Sequence, residues 1–210
     1  MGSIRTFTQE NEVNSANDVH LDDLKSYLLG AMHDDGTVRQ RTLRISQREE
    51  EYVVFLRSLI LAKGKRAWTY REGRTRNLFV VEFSRTLLDG HRLRTRKEII
   101  HYVRGYFDAE GAVASPAASA PYLYFGQKNR LDLEELRSLL CGLRVMCGKI
   151  HNPSCRVDPD YWRFFVSRRS IERFAKLVGS WHPRKARWLD EALNRERKRR
   201  RNSKPRRSLR

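Results

Sequence analysis

Two twelve-residue stretches of this chain carry one pattern: YLLGAMHDDGTV from Tyr27 to Val38, and YVRGYFDAEGAV from Tyr102 to Val113. Tyr, Gly, an acid, Gly and Val recur at a constant offset of 75 residues, as Tyr27/Tyr102, Gly30/Gly105, Asp35/Glu110, Gly36/Gly111 and Val38/Val113. Each stretch reads as an apolar helix with a small residue in mid-turn, ending on a carboxylate followed at once by glycine. A helix used twice, with one acid at each foot, restricts the chain to two pseudo-symmetric halves. It points to one active site to which each half contributes.

The duplication continues in order along the chain. Gln47 and Gln127 lie 80 apart, as do the two LRSL runs at Leu56–Leu59 and Leu136–Leu139; Ser84-Arg85 and Ser167-Arg168 lie 83 apart. Offsets that grow from 75 to 83 describe a second copy with longer loops. Two copies make a duplicated domain, because a solenoid needs about three or more repeats for stability.

Hydrophobic periodicity sets the element order. Residues 1–20 are polar and loose, and Leu21 to Asp34 is a helix with Leu21, Leu24, Leu28 and Met32 on one stripe. TVRQRTLRISQ forms two short strands, EEYVVFLRSLILAKG a helix stopped by Gly64, and RAWTYREGRTRNLFVVEF a hairpin turning at Gly73. Thr86 to Gly90 begins a short third helix. In the second copy, Arg96 to Ala109 is the motif helix and Ala112 to Phe125 a hairpin. A helix over Leu131 to Cys147 follows, then a hairpin over Gly148 to Ser167 and closing helices over Ser170 to Gly179 and Arg184 to Leu193. The domain reading is therefore a loose segment 1–20, a first half 21–90, a linker 91–95, a second half 96–193 and a basic, disordered tail 194–210.

Charge narrows the partners. The net charge is +18, and residues 194–210 hold ten Lys/Arg against one Glu, so half of the excess lies outside that tail. A basic folded body indicates a polyanion, nucleic acid before membrane. No apolar run approaches the roughly 18 residues that span a bilayer. No signal or transit segment is legible, and three cysteines, an odd number, indicate a reducing compartment. The expected location is the cytoplasm with the nucleoid, or an organellar matrix, and not the exterior. Cys141, Cys147, His151 and Cys155 have no standard zinc spacing, and Cys141 is expected on the inward face of its helix. His33 is expected to pack or bond locally rather than to ligate metal.

Two αββαββα halves, each opened by a glycine-containing helix ending in acid-Gly, resemble the LAGLIDADG homing endonucleases of the single-chain, two-motif type. The resemblance rests on LLGAMHDDG (Leu28 to Gly36) and VRGYFDAEG (Val103 to Gly111), the second matching more closely because His33 stands where the first motif commonly has an acid. It implies an α+β fold in which the motif helices pack at the centre and antiparallel sheets form a saddle over DNA. It implies a monomer that cuts both strands of a long, imperfectly symmetric duplex target.

Physical chemistry supports each part of that expectation. Helices packed side by side need small residues at their approach, the role assigned to Gly30 and Gly105. Asp35 and Glu110 then emerge together, and paired carboxylates are costly unless a cation lies between them. Oxygen donors suit Mg²⁺, with Mn²⁺ as substitute. Gln47 and Gln127 at strand ends, and Lys185 in HPRKARWL, join the catalytic set by the resemblance, Lys185 as a group that reaches toward scissile phosphates. Groove-facing candidates are Arg39, Arg41, Arg44, Arg71, Arg74 and Arg76 in the first half, and Lys128, Lys149, His151, Arg156 and Arg163 in the second. The alternatives are an intron-RNA-binding maturase and a catalytically degenerate DNA-binding protein on the same fold.

Overall fold

The computed structural model describes residues 19–33, 36–73, 77–113 and 122–202, the side chains of 199–202 excepted. Asp35, Arg74 and Arg76 therefore lie outside the described residues, as do residues 1–18 and 203–210. Contacts divide the chain into two compact units between Tyr102 and Val103, inside the second motif helix rather than at 91–95. The first turns of that helix belong with the first unit because Lys97 Nζ meets Asp23 Oδ2 at 2.6 Å and Tyr102 Oη meets His33 Nε2 at 2.6 Å.

The first unit begins with α1 (Leu21–Ala31), which buries Leu24, Tyr27, Leu28 and Ala31. A four-stranded antiparallel sheet follows in the order β1 (Gly36–Val38), β2 (Thr42–Gln47), β4 (Leu78–Ser84), β3 (Ala67–Glu72). Leu43 pairs with Phe83 and Ile45 with Val81, which puts the apolar side chains on one face, beneath α2 (Glu50–Ala62). Tyr52, Val53, Leu56, Leu59 and Ile60 form the buried face of α2. It ends as its glycine predicts: Gly64 adopts φ 67°, and Lys65 N donates to Ile60 O at 3.2 Å. The expected third helix at 86–90 is a 3₁₀ turn, Arg85–Leu87, because a five-residue segment ending in glycine cannot repay helix nucleation.

The second unit takes its motif helix from α3 (Arg96–Glu110), then β5 (Gly111–Val113), β6 (Leu123–Gln127), α4 (Arg130–Gly142) and β7 (Trp162–Phe165). Its sheet runs β5-β6-β7, antiparallel throughout. Phe125 stacks on Phe164 at 5.3 Å between centroids, and Phe107 meets Phe174 at 5.0 Å, forming the centre of this core. The expected hairpin over 148–167 retains only β7. Opposite it, bridges Cys147–Val166 and His151–Arg163 differ by one residue in register, so a bulge interrupts the partner strand. Asn152 then closes the turn, its Nδ2 donating to Asp158 O at 2.9 Å and Pro159 O at 2.8 Å.

Three further differences have local causes. Helix α4 stops at Gly142 rather than reaching Cys147, because Arg144 takes φ 61° and Val145 N returns to Leu140 O at 2.9 Å. Its buried stripe is Leu133, Leu136 and Leu140, which turns Cys141 outward instead of into the core. After α5 (Ile171–Leu177), helix α6 (Pro183–Asn202) starts on a proline suited to a first helical position. It runs on through 194–202, so this part of the basic segment is helical rather than disordered. Glu196 anchors it, accepting from Arg168 Nε at 2.9 Å.

Candidate functional site

Gly111 stands where the chain passes directly from α3 into β5, whereas α1 ends at Ala31, short of the expected Asp34, and Gly36 opens β1. A Cβ on Gly111 would overlap the ring and carbonyl of Phe107, and one on Gly36 would overlap Met32. Neither needs a left-handed backbone; the close approach demands glycine. Glu110, the last residue of α3, is thereby held at a helix end that leads straight into β5, and its carboxylate is half-buried. Tyr27 and Tyr102, equivalent in the repeat, differ in partner: Tyr27 Oη lies 2.7 Å from Tyr52 Oη, Tyr102 Oη 2.6 Å from His33 Nε2. The partner of His33 thus lies 69 positions away. Gly30 and Gly105 are buried in α1 and α3.

The carbonyls that close α3 have one dominant partner. Lys185 Nζ donates to Phe107 O at 3.0 Å, Asp108 O at 2.7 Å and Ala109 O at 3.1 Å. An ammonium has three donors, so this geometry engages all of them and places its charge where the helix dipole is negative. Lys185 therefore meets the site through the helix end that carries Glu110, where sequence reasoning aimed it at phosphate.

Asp108, two residues before Glu110, is 1% exposed and turns away into the second unit. Its Oδ2 accepts from Trp181 N at 2.8 Å and His182 N at 3.1 Å, and its Oδ1 accepts from Ser180 Oγ. This carboxylate fixes the segment that launches α6, and so fixes Lys185. Arg104 joins the same segment, its guanidinium 4.9 Å over the Trp181 ring and its Nε donating to Val178 O. Sequence reasoning placed Asp108 beside Glu110 without finding this role, since its partners lie more than 70 positions away. A missed feature with a readable signal is the capping box Thr95-x-x-Glu98. Glu98 Oε2 accepts from Thr95 N at 2.8 Å, and Glu98 N donates to Thr95 Oγ1 at 3.2 Å. Backbone bonds from Arg94 and Thr95 hold the Glu98 carboxyl below its usual range.

The two glutamines sit where predicted, closing β2 and β6. Gln47 is half-buried; Gln127 is buried, and its Oε1 accepts from Lys128 N at 2.6 Å. Among the cations, Arg39, Arg41, Arg71, Lys128, Lys149, His151 and Arg156 are exposed, Arg163 half-buried and Arg44 buried. Register separates two that were grouped together. Arg44 pairs with Glu82 and Glu82 with Trp68, whereas Arg71 pairs with Phe79, so Arg44 and Arg71 occupy opposite faces of the first sheet. Arg71 shares the α2 side and Arg44 the outer side.

On that outer side Arg44 is held within the chain. Its NH2 meets Glu72 Oε1 at 2.8 Å, and its guanidinium lies 5.5 Å from the Tyr70 ring centroid. Glu82 accepts from Thr42 Oγ1 at 2.5 Å and Tyr70 Oη at 2.7 Å. Burial by itself raises the Glu82 carboxyl; those two bonds and the charges of Arg39 and Arg44 outweigh it and hold it below its usual range. Burial and the bond to Glu82 push the Tyr70 phenol up.

The Glu110 carboxylate is a hard oxygen donor of the kind that suits a divalent cation. Among the described residues no cluster of three or more His, Cys, Asp or Glu is assembled. Cys141 and Cys155 are exposed, and burial pushes the Cys147 thiol up to about 12.

Residues 97–179 match the family model of a LAGLIDADG-like domain, a segment that contains the second motif. Solved structures with the same fold include I-DmoI in complex with DNA and Mn, at 19% identity and TM-score 0.58, covering 76% of this chain and 98% of that one. The N-terminal LAGLIDADG domain of DUF199/WhiA matches at 16% identity and TM-score 0.60, covering 85% and 94%. Full-length DUF199/WhiA from Thermatoga maritima matches at 19% identity and TM-score 0.65, covering 93% and 67%. A variant of I-DmoI has also been solved with its target DNA in the presence of Mg, and I-DmoI with DNA and Ca. No curated protein gives a significant sequence match. The chain thus has the α+β LAGLIDADG fold expected from its two motifs, the fold of the single-chain two-motif homing endonuclease I-DmoI.

Proposed function

We propose that this chain is a metal-dependent endonuclease that hydrolyses phosphodiester bonds in duplex DNA, with Glu110 and Asp35 as its metal-binding acids. The observation that carries the reading is the end of α3. Glycine at 111 is demanded by the close approach of Phe107, so the preceding acid is delivered at one fixed point. Lys185 donates to the helix carbonyls of residues 107–109 and so fixes the helix end that carries the acid.

A divalent cation bound by these acids supplies an activated water and stabilises the leaving oxygen. The chain's own residues do the rest. Glu110 orients the cation from a helix end whose position is set by Lys185 and, through the 180–182 segment, by Asp108. Gln47 and Gln127, at matching strand ends, orient water near the acids. Exposed Arg39, Arg41, Lys128 and Lys149 neutralise phosphates along the duplex. Mg²⁺ is the expected ion and Mn²⁺ the substitute. The expected setting is a monomer on a long, imperfectly symmetric target, in the cytoplasm or an organellar matrix.

A second reading is DNA binding without cleavage on the same fold. Cleavage of a randomised duplex library in Mg²⁺ separates the two. Glu110→Gln and Asp35→Asn should each abolish cutting and leave duplex affinity within about threefold, as expected for a group that acts in the transition state. Cutting that survives either substitution refutes the assignment; a wild-type chain that binds and never cuts establishes the second reading.

A further inference from the structure

The outer face of the second sheet is built differently from that of the first. Strand alternation buries Leu123, Phe125 and Phe164, so Tyr124, Gly126, Arg163 and Phe165 share the opposite face, where Tyr124 pairs with Phe165 and Gly126 with Arg163. Their rings form a continuous patch. Tyr124 and Phe165 lie 5.6 Å apart, Tyr122 lies 6.1 Å from Tyr124 and 6.2 Å from Phe165, and His151 stacks on Phe165 at 5.9 Å. Tyr122 is 44% exposed and His151 is exposed.

Arg163 lies within this patch, its guanidinium 5.6 Å from the Tyr124 centroid and 5.1 Å from that of Phe165. Its Nε is buried and makes no hydrogen bond within the described residues. The contrast with Arg44 is direct: there a guanidinium is neutralised by two glutamates, here one is held against rings. Lys128 follows β6 by one residue, Lys149 precedes His151 by two, and Arg156 lies in the connection to β7 with Asp158 and Asp160; all three cations are exposed.

The patch also reaches the candidate acid. Tyr161 lies over Gly126, where any Cβ would overlap its hydroxyl. Burial raises the Tyr161 phenol, with Tyr124, to which it hydrogen-bonds, and the charge of Glu110 adding to the shift. Gly111, next to Glu110, pairs with Phe125, and Tyr161 covers the following residue, Gly126, so the acid adjoins the strand that carries the patch.

Aromatic rings spread on a sheet and bordered by cations suit unpaired bases. Each base offers a ring face to stack on, while its phosphate meets a cation. Paired bases in a duplex have no free faces to offer. We propose that this face, centred on Tyr122, Tyr124, Phe165 and Arg163, binds single-stranded DNA by base stacking and holds an unpaired strand beside Glu110. The inference goes beyond duplex cleavage and does not depend on hydrolysis.

The test is binding of the full chain to four labelled 20-mers at one salt concentration: dT20, an abasic strand with the same phosphates, U20 and a duplex. The dT20 strand should bind at least about tenfold tighter than the abasic strand. Tyr122→Ala and Tyr124→Leu should each weaken dT20 about tenfold, leaving abasic and duplex binding within about twofold. Unchanged dT20 binding in Tyr122→Ala, an exposed position where the fold is not at risk, overturns the proposal. Equal affinity for dT20 and the abasic strand also overturns it, and tighter binding of U20 than dT20 rejects DNA as the occupant. A chain that never cuts duplex yet keeps the dT20 preference supports this inference while removing the endonuclease reading.

Discussion

Asp108 offers a demanding test because its two oxygens have separate duties. Oδ2 accepts the Trp181 and His182 amides at 2.8 and 3.1 Å, and Oδ1 accepts Ser180 Oγ, with the carboxylate 1% exposed. Asp108→Ala strands two backbone N–H groups at about 1–3 kcal/mol each, a loss of about 4 kcal/mol. Asp108→Asn can still offer one oxygen to both amides and an NH₂ to Ser180, losing mainly charge assistance, about 2 kcal/mol. At roughly 2–4 °C per kcal/mol for a chain of this length, melting should fall by about 8–16 °C for alanine and 4–8 °C for asparagine. Differential scanning calorimetry measures the shift, and amide hydrogen exchange locates it. Exchange at Trp181 and His182 should speed up most in alanine. An alanine variant melting within about 2 °C of wild type, or equal exchange at both amides in all three proteins, would refute the assigned role.

The remaining predictions use charge. Glu82 is held below the usual carboxylate range by Thr42, Tyr70, Arg39 and Arg44, so its contribution to stability is present above the unfolded carboxylate value. That contribution is lost as pH falls through the lowered folded value. Resistance to urea should therefore fall on acidification below about pH 4.5, and Glu82→Gln should flatten that dependence; an identical pH profile in the variant would argue against the cluster. Removing residues 203–210 takes away Lys204, Arg206, Arg207 and Arg210. Affinity should fall similarly for all duplex sequences, and the slope of log affinity against log salt should shrink by at most about 4. Loss confined to one preferred sequence would contradict a non-specific role.

Much of the scaffold was legible from spacing. The repeat at 75 residues, the stripe Leu24/Leu28 and the stop at Gly64 all report local geometry, in which neighbours in sequence are neighbours in space. The bulge opposite β7 was not legible, because one residue of extra length between Cys147 and His151 leaves apolar alternation almost unchanged. Nor was the separation of Arg44 from Arg71, which depends on strand register across three strands. The helical course of residues 194–202 was hidden by their charge. Glu196 offsets it by meeting Arg168, 28 positions earlier.

By itself the sequence determined that each motif closes on acid-Gly, and the fold explains the two glycines. At both junctions the backbone passes too close to a side chain or carbonyl of the preceding turn for any Cβ to fit. Only the tertiary structure decided which charges are left to act. It committed Lys185 to the carbonyls of α3, Asp108 to the amides at 181 and 182, and Arg44 to Glu72 and Glu82, and it set Arg163 against aromatic rings. Ion pairs and hydrogen bonds form across about 3 Å, and the partners here lie 28 to 78 positions apart where the contact is between charges or with a backbone group. Their choice is made by packing, which no spacing in the chain records.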